Sequence, residues 1–78
     1  MNEDWSADLD SSTWEGRDLK FSAASETGQN AYIIRAHRLR DVAQRTSAEA
    51  LALNLPLLRP ALVRLARHAQ PGETLTLN

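Results

Sequence analysis

Hydrophobic and polar residues alternate along the first half of the chain in the pattern of half-buried β-strands. In Leu19-Lys20-Phe21-Ser22-Ala23 every second residue is apolar, which predicts one face turned toward a core. Ala31-Tyr32-Ile33-Ile34 is β-branched and aromatic, a composition that favours strands. Residues 25–30 between them include Gly28 and are typical of a loop. The pattern therefore predicts a β-hairpin over about residues 18–35.

Helical spacing follows the hairpin. Leu39, Val42 and Ala43 lie three and four residues apart, which predicts a short first helix. Thr46 and Glu49 have the spacing of a capping box, which predicts that a second helix begins there.

Apolar residues continue at helical spacing beyond the capping box, interrupted by Pro56 and Pro60. Proline has no N–H to donate inside a helix, so we expect the helix to end, kink or restart between positions 55 and 60. Pro71-Gly72 is a helix stop signal, and Thr74-Leu75-Thr76-Leu77 alternates again as a last short strand. The apolar positions that this interpretation places on the helical core face are Ala48, Leu51, Ala52, Leu55, Leu58, Ala61, Leu62, Leu65 and Ala69.

These elements predict an α+β fold. We expect a small antiparallel sheet of three or four strands, in the chain order strand, strand, helix, helix, strand, with the helices packed on one face. Residues 1–12 are polar and acidic and form either a flexible lead-in or an edge strand, whereas residues 13–78 form a single domain.

Several short motifs follow one another along the chain: Thr13-Trp14, Leu19, Phe21-Ser22-Ala23, Gly28, Leu39 with Asp41, Ala50-Leu51, and a closing helix that contains Arg and Ala. This order resembles a family of small bacterial proteins classed as a domain of unknown function. The resemblance covers about residues 13–78 and implies a compact α+β domain with a hairpin, helices and a final strand. Pro56 and Pro60 depart from the family pattern and argue against a single long helix. No catalytic residue is implied.

Composition narrows the possible chemistry. The chain has 78 residues and no Cys, which excludes disulfides and thiolate metal sites and leaves a small core to stabilise the fold. His37 and Asp41 have the spacing of one helical face, but two ligands do not make a metal site. The three Gly residues are isolated, so there is no phosphate-binding loop. We therefore expect no catalytic residues, no cofactor, no metal and no enzymatic activity.

The charge is divided unevenly along the chain. Residues 1–30 carry seven acidic and two basic residues, and residues 31–78 carry seven Arg and three acidic residues. The two halves either neutralise each other in the fold or present a surface for a polyanion. The Arg residues predicted for polyanion binding are Arg35, Arg38, Arg45, Arg64 and Arg67, of which Arg38 and Arg45 are two helical turns apart.

The candidate protein interface consists of Trp5, Leu53, Leu55 and Leu57. The leucines are candidates because consecutive helical residues point about 100° apart and cannot all reach one core. Trp5 is a candidate because an exposed Trp near a polar lead-in can anchor an interface, and the alternative is that it packs back on the sheet.

The leading hypothesis is a non-enzymatic protein–protein interaction module or accessory subunit, with a homodimer as one form. The alternatives are a nucleic-acid-associated regulator that uses the Arg faces, and a phage-style inhibitor whose acidic start imitates nucleic acid. No apolar run approaches the roughly 20 residues that span a bilayer, and there is no basic and apolar signal segment, so we expect a cytoplasmic protein. The acidic start consists of Glu3, Asp4, Asp8 and Asp10.

Overall fold

The computed structural model describes residues 4–26 and 28–78, which form an α+β fold as predicted. Four strands, one turn of 3₁₀-helix and one α-helix follow one another along the chain. Their bounds are β1 Ser6–Glu15, β2 Asp18–Ser25, β3 Gly28–Ile34, the 3₁₀ turn Ala36–Arg38, α1 Ser47–Arg67 and β4 Thr74–Leu77.

The predicted hairpin is confirmed as β2 and β3, which pair antiparallel with Phe21 opposite Tyr32. The alternation in β2 has the expected result, since Leu19, Phe21 and Ala23 are all buried. The preceding turn joins β1 to β2 through Gly16, whose φ of 63° lies in the left-handed region that glycine adopts without strain.

The sheet is mixed, with the strand order β1-β2-β3-β4. The first three strands are antiparallel, but β4 runs parallel to β3, with Ala31 opposite Thr74 and Ile34 opposite Leu77. The prediction of a purely antiparallel sheet is therefore wrong at its last strand. A parallel neighbour requires a long crossover connection, and α1 provides that connection between β3 and β4.

The structure has one α-helix where the sequence predicts two, a short first helix and an interrupted second one. α1 runs from Ser47 to Arg67 through both Pro56 and Pro60. The prolines are tolerated because both lie on the exposed side of α1, four residues apart. Their missing N–H groups leave the carbonyls of Ala52 and Pro56 without helical donors, and Ala52 and Pro56 are exposed, so water can bond these carbonyls. The capping box at the start of α1 is confirmed, with Thr46 and Glu49 bonded reciprocally.

The predicted first helix at residues 39–43 is wrong. Only Ala36–Arg38 form a 3₁₀ turn, and positive φ angles at Asp41 (54°) and Gln44 (62°) break any longer helix. A buried side chain in α1 organises this segment instead. The amide of Asn54 accepts from the N–H of Arg40 at 2.9 Å and donates to its carbonyl at 3.0 Å, as a neighbouring strand would.

Trp5 belongs to the core, so of its two alternatives the structure has packing against the sheet and not an exposed interface residue. Only 6% of its surface is exposed, and its ring meets those of Phe21 and Tyr32 edge-on. Its Nε1–H donates to the Tyr32 hydroxyl at 3.2 Å. Arg59 of α1 lies over the indole and donates to the Trp5 carbonyl at 3.0 Å. Aromatic packing and this clamp explain why an isolated Trp in a polar segment is buried.

β1 lies at the edge of the sheet and includes residues 6–12, for which the sequence left flexibility and an edge strand as alternatives. Its register with β2 shifts between Asp8 and Thr13. Hydroxyl groups hold this bulge: Ser11 donates to the Asp8 carbonyl at 2.6 Å, and Ser12 donates to the Leu9 carbonyl at 2.7 Å. A bulge of this kind makes an edge strand a poor template for pairing with another strand.

Asn30 fixes the loop that leads into β4. Its amide nitrogen donates to the carbonyls of Gln70 at 2.7 Å and Glu73 at 3.1 Å, which holds the chain after α1 against β3. Among the described residues, nothing bonds its buried Oδ1 atom.

Candidate functional site

The most prominent surface feature is a line of exposed side chains along the side of α1 that faces away from the sheet. We call this line the outer stripe. It is acidic at its first residue, apolar over the next four and basic at its last. The residues of the outer stripe are Glu49, Leu53, Pro56, Leu57, Pro60 and Arg64, all of them exposed.

Two leucines make the outer stripe unusual. Leu53 is 44% exposed and Leu57 is 70% exposed, and they are the large hydrophobic residues that lie exposed in residues 4–26 and 28–78. Leu57 follows Leu53 by one helical turn, and the rings of Pro56 and Pro60 flank them. The four side chains form a continuous apolar surface, whereas single exposed apolar residues would need no explanation.

The opposite side of α1 explains why these leucines are left outside. Leu51, Leu58 and Leu62 pack against the sheet and are at most 6% exposed. Residues at that spacing occupy the core face of the helix. Leu53, two positions after Leu51, and Leu57, five positions before Leu62, therefore point outward. The predicted interface residues are accordingly separated. Leu53 and Leu57 are on the outer stripe, while Leu55 is half-buried and packs against the core.

The acidic end of the outer stripe is electrostatically well defined. The pKa of the Glu49 carboxyl is lowered, mainly by a hydrogen bond from the backbone N–H of Thr46 and next by a hydrogen bond with the Thr46 side chain. The positive charge of Arg45 also lowers it. Glu49 therefore carries a negative charge at neutral pH, fixed at the start of α1, where the helix dipole favours it.

The basic end is formed by Arg64, in the last turn of α1. Within the part of the chain that the structure describes, no carboxylate forms an ion pair with Arg64. The ion pair found in that part of the chain joins Arg35 to Asp18, at 3.2 Å. The side chain of Arg64 is exposed and available to a partner.

The Arg residues proposed for polyanion binding have different partners in the fold. Arg35 is paired with Asp18, and the Arg45 Nε–H donates to the Asp41 carbonyl at 2.6 Å. The prediction that Arg38 and Arg45 share a helical face is wrong, because the chain between them is irregular. Arg67 is exposed in the last turn of α1.

Two Arg side chains do converge. Arg38, Arg64 and His68 line an open cavity of about 350 Å³ whose other walls are apolar, formed by Ala61, Leu65 and Leu77. Arg38 also donates to the carbonyl of Asn78 at 2.7 Å, which ties the 3₁₀ turn to the end of β4. The cavity combines positive charge with an apolar floor and can receive an anion that carries an apolar group.

The acidic start is divided. Asp4, Asp8 and Asp10 are exposed, and Glu3 lies outside the described residues. Residues 1–12 also contain Trp5 and much of β1, so a deletion of this segment would remove part of the core along with the acidic groups.

Three residues that the sequence analysis missed are structural: Asn30, Asn54 and Arg59. A signal existed for Asn54, because an Asn among apolar residues in mid-helix is unfavourable unless its side chain has specific partners. No comparable local signal marks Arg59, whose partner is 54 positions away in the sequence. The same holds for Asn30, whose two partners are 40 and 43 positions away.

Within residues 4–26 and 28–78 there is no cluster of His, Asp and Glu able to hold a metal ion. No helix in these ranges has the length and apolar character to cross a membrane. Comparison with family models, curated proteins and solved structures gives no match. The resemblance to a bacterial domain of unknown function therefore stays a prediction.

Proposed function

We propose that this protein is a non-enzymatic interaction module, either self-associating or an accessory subunit, that docks through the outer stripe. The observation that supports this proposal is the exposure of Leu57, 70% of which faces solvent in the middle of an ordered helix. Covering such a side chain gives roughly 25 cal/mol per Å² of apolar surface removed from water. A rigid helix also loses little conformational entropy when it docks.

The test is affinity capture of tagged protein from a lysate of its own host, with and without nuclease. Leu57→Glu places a charge in the apolar centre of the outer stripe, whereas Gln29→Glu adds the same charge at an exposed residue of β3 and serves as the control. We expect wild type and Gln29→Glu to retain the same protein after nuclease treatment, a second copy of the chain included, and Leu57→Glu to lose it. Identical captured proteins for all three variants would contradict the proposal.

A second candidate function is binding of an anion in the cavity between β4 and the end of α1. The observation that favours it is the convergence of Arg38, Arg64 and His68 on one apolar-floored cavity. Nucleic-acid phosphates and other organic anions both meet this description, and binding of either would weaken as salt is raised.

Fluorescence titration with a labelled single-stranded oligonucleotide tests this second candidate. The Arg38→Gln and Arg64→Gln double variant should reduce affinity at low salt, whereas Arg17→Gln, on the β1–β2 turn, should not. Equal binding by all three proteins would exclude the cavity as the site, and no binding at low salt would exclude the nucleic-acid alternative.

A further inference from the structure

We infer that the partner of the outer stripe is a second copy of this chain, with the two α1 helices packed antiparallel about a two-fold axis. This inference rests on the proposed function, since it names the occupant of the same surface. It makes α1 the centre of a symmetric dimer in which the sheets lie on the outside, on opposite sides of the helix pair.

The order of residue types along the outer stripe carries the inference. Pro56 and Leu57 are at the centre of the stripe, and its members are equally spaced on either side of that point. In an antiparallel pair centred there, each Leu57 faces the partner's Pro56, and each Leu53 faces the partner's Pro60. Apolar residues therefore meet apolar residues throughout the centre, as a two-fold interface requires of one patch that contacts itself.

The charged ends agree with the same alignment. Glu49 and Arg64 are equidistant from the centre, so an antiparallel pair sets each Glu49 beside the partner's Arg64. A parallel pair would set like charges side by side instead. Antiparallel packing also aligns the helix dipoles favourably. Charge complementarity thus selects both the occupant and its direction.

The size of the contact indicates a weak dimer. From Glu49 to Arg64 the helix extends about 22 Å at about 1.5 Å per residue. One helix pair buries less surface than a standard interface of about 1,600 Å², so we expect dissociation in the micromolar range or weaker. The two ion pairs are at the rim, where they set orientation more than affinity.

Sedimentation equilibrium of the purified full chain, from micromolar to millimolar concentration, tests for the second copy. We expect a monomer–dimer equilibrium that Leu57→Glu weakens at least tenfold and Gln29→Glu leaves unchanged. A strict monomer at millimolar concentration, or a dimer that Leu57→Glu does not weaken, would overturn the inference.

Charge variants test the direction of packing. Arg64→Glu sets a carboxylate beside the partner's Glu49 at each end of the interface and should weaken the dimer several-fold, most strongly at low salt. Adding Glu49→Gln should recover part of the loss, and this change keeps the folded state because Gln also forms the capping box. Arg17→Glu alters net charge equally at an exposed turn and should have no effect. A dimer that responds equally to Arg64→Glu and Arg17→Glu would exclude the antiparallel alignment.

The two proposals fail in different ways. If the chain is monomeric but loses a captured protein on Leu57→Glu, the outer stripe docks a different protein and only the second copy is wrong. If the chain is monomeric and Leu57→Glu changes no captured protein, both the dimer and the interaction module are wrong.

Discussion

α1 carries leucines on two opposite sides, and the two sets differ in how far their side chains are exposed. Leu51 and Leu62 on the inner side have no measurable exposure, whereas Leu53 and Leu57 on the outer side are 44% and 70% exposed. Residue type and helix are the same, so the difference is one of partners. The inner leucines have the sheet to pack against, whereas much of the outer leucines' surface is left uncovered by the residues that the structure describes. Folding accounts for the first set and leaves the second to be explained by association.

The sharpest way to test this contrast is to remove an inner leucine. Leu62→Ala leaves a cavity between α1 and the sheet, and we expect it to lower the free energy of unfolding by about 2–5 kcal/mol. Urea unfolding followed by circular dichroism measures the loss. A chain of this size has only about 4–12 kcal/mol of stability in total, so partial unfolding at 37 °C is an expected result. A change below 1 kcal/mol would show that the inner side is not packed as described.

The polar residue on the inner side should have the next largest effect. Asn54→Ala removes both bonds to the Arg40 backbone, and we expect a loss of about 1–3 kcal/mol because the N–H and carbonyl of Arg40 lose their partly buried partner. The segment from Arg38 to Arg45 should loosen before the rest of the protein. Trypsin cleaves after Arg, so limited proteolysis at Arg40 and Arg45 should become faster. Unchanged cleavage would mean that the amide does not hold this segment.

An outer leucine should matter little to the fold of a single chain. We expect Leu57→Ala to change the stability by no more than about 0.5 kcal/mol at micromolar concentration, as for most surface positions. At millimolar concentration, however, the wild type should gain thermal stability from association and Leu57→Ala should not. Thermal melts at both concentrations measure this. A large loss for Leu57→Ala at the low concentration would contradict the assignment of the outer stripe to association.

The smallest expected effect concerns pH. The folded pKa of Glu49 is lowered, so its contribution to stability is complete above the usual carboxyl pKa of about 4.3 and disappears as the pH falls through the lower folded value. Glu49→Gln should be slightly less stable than wild type at pH 6, and the difference should shrink as the pH falls below the usual carboxyl pKa. Urea unfolding of both proteins across this range measures the difference. A difference that does not vary with pH would show that the carboxylate charge does not stabilise α1.

Local patterns predicted the hairpin, the capping box and the last strand, because each depends on residues close together in the sequence. The parallel pairing of β4, the burial of Trp5 and the uninterrupted α1 depend on contacts between distant segments. Trp5 is drawn into the core by Tyr32 and Arg59, neither of which is near it in the sequence. For the candidate site, the sequence showed that some leucines must face outward, but only the sheet position decided that these are Leu53 and Leu57 and not Leu55.

The two prolines inside α1 have a consequence for when the docking surface exists. A helix of this length with two interior prolines has too little intrinsic propensity to form alone in water, so an isolated peptide of residues 46–68 should be disordered by circular dichroism. We therefore expect α1 to become helical only when it packs against the sheet. On this expectation the outer stripe is absent from the unfolded chain and forms together with the fold. A partner that binds the outer stripe therefore binds folded chains and not unfolded ones. Because it binds the folded form alone, it stabilises that form.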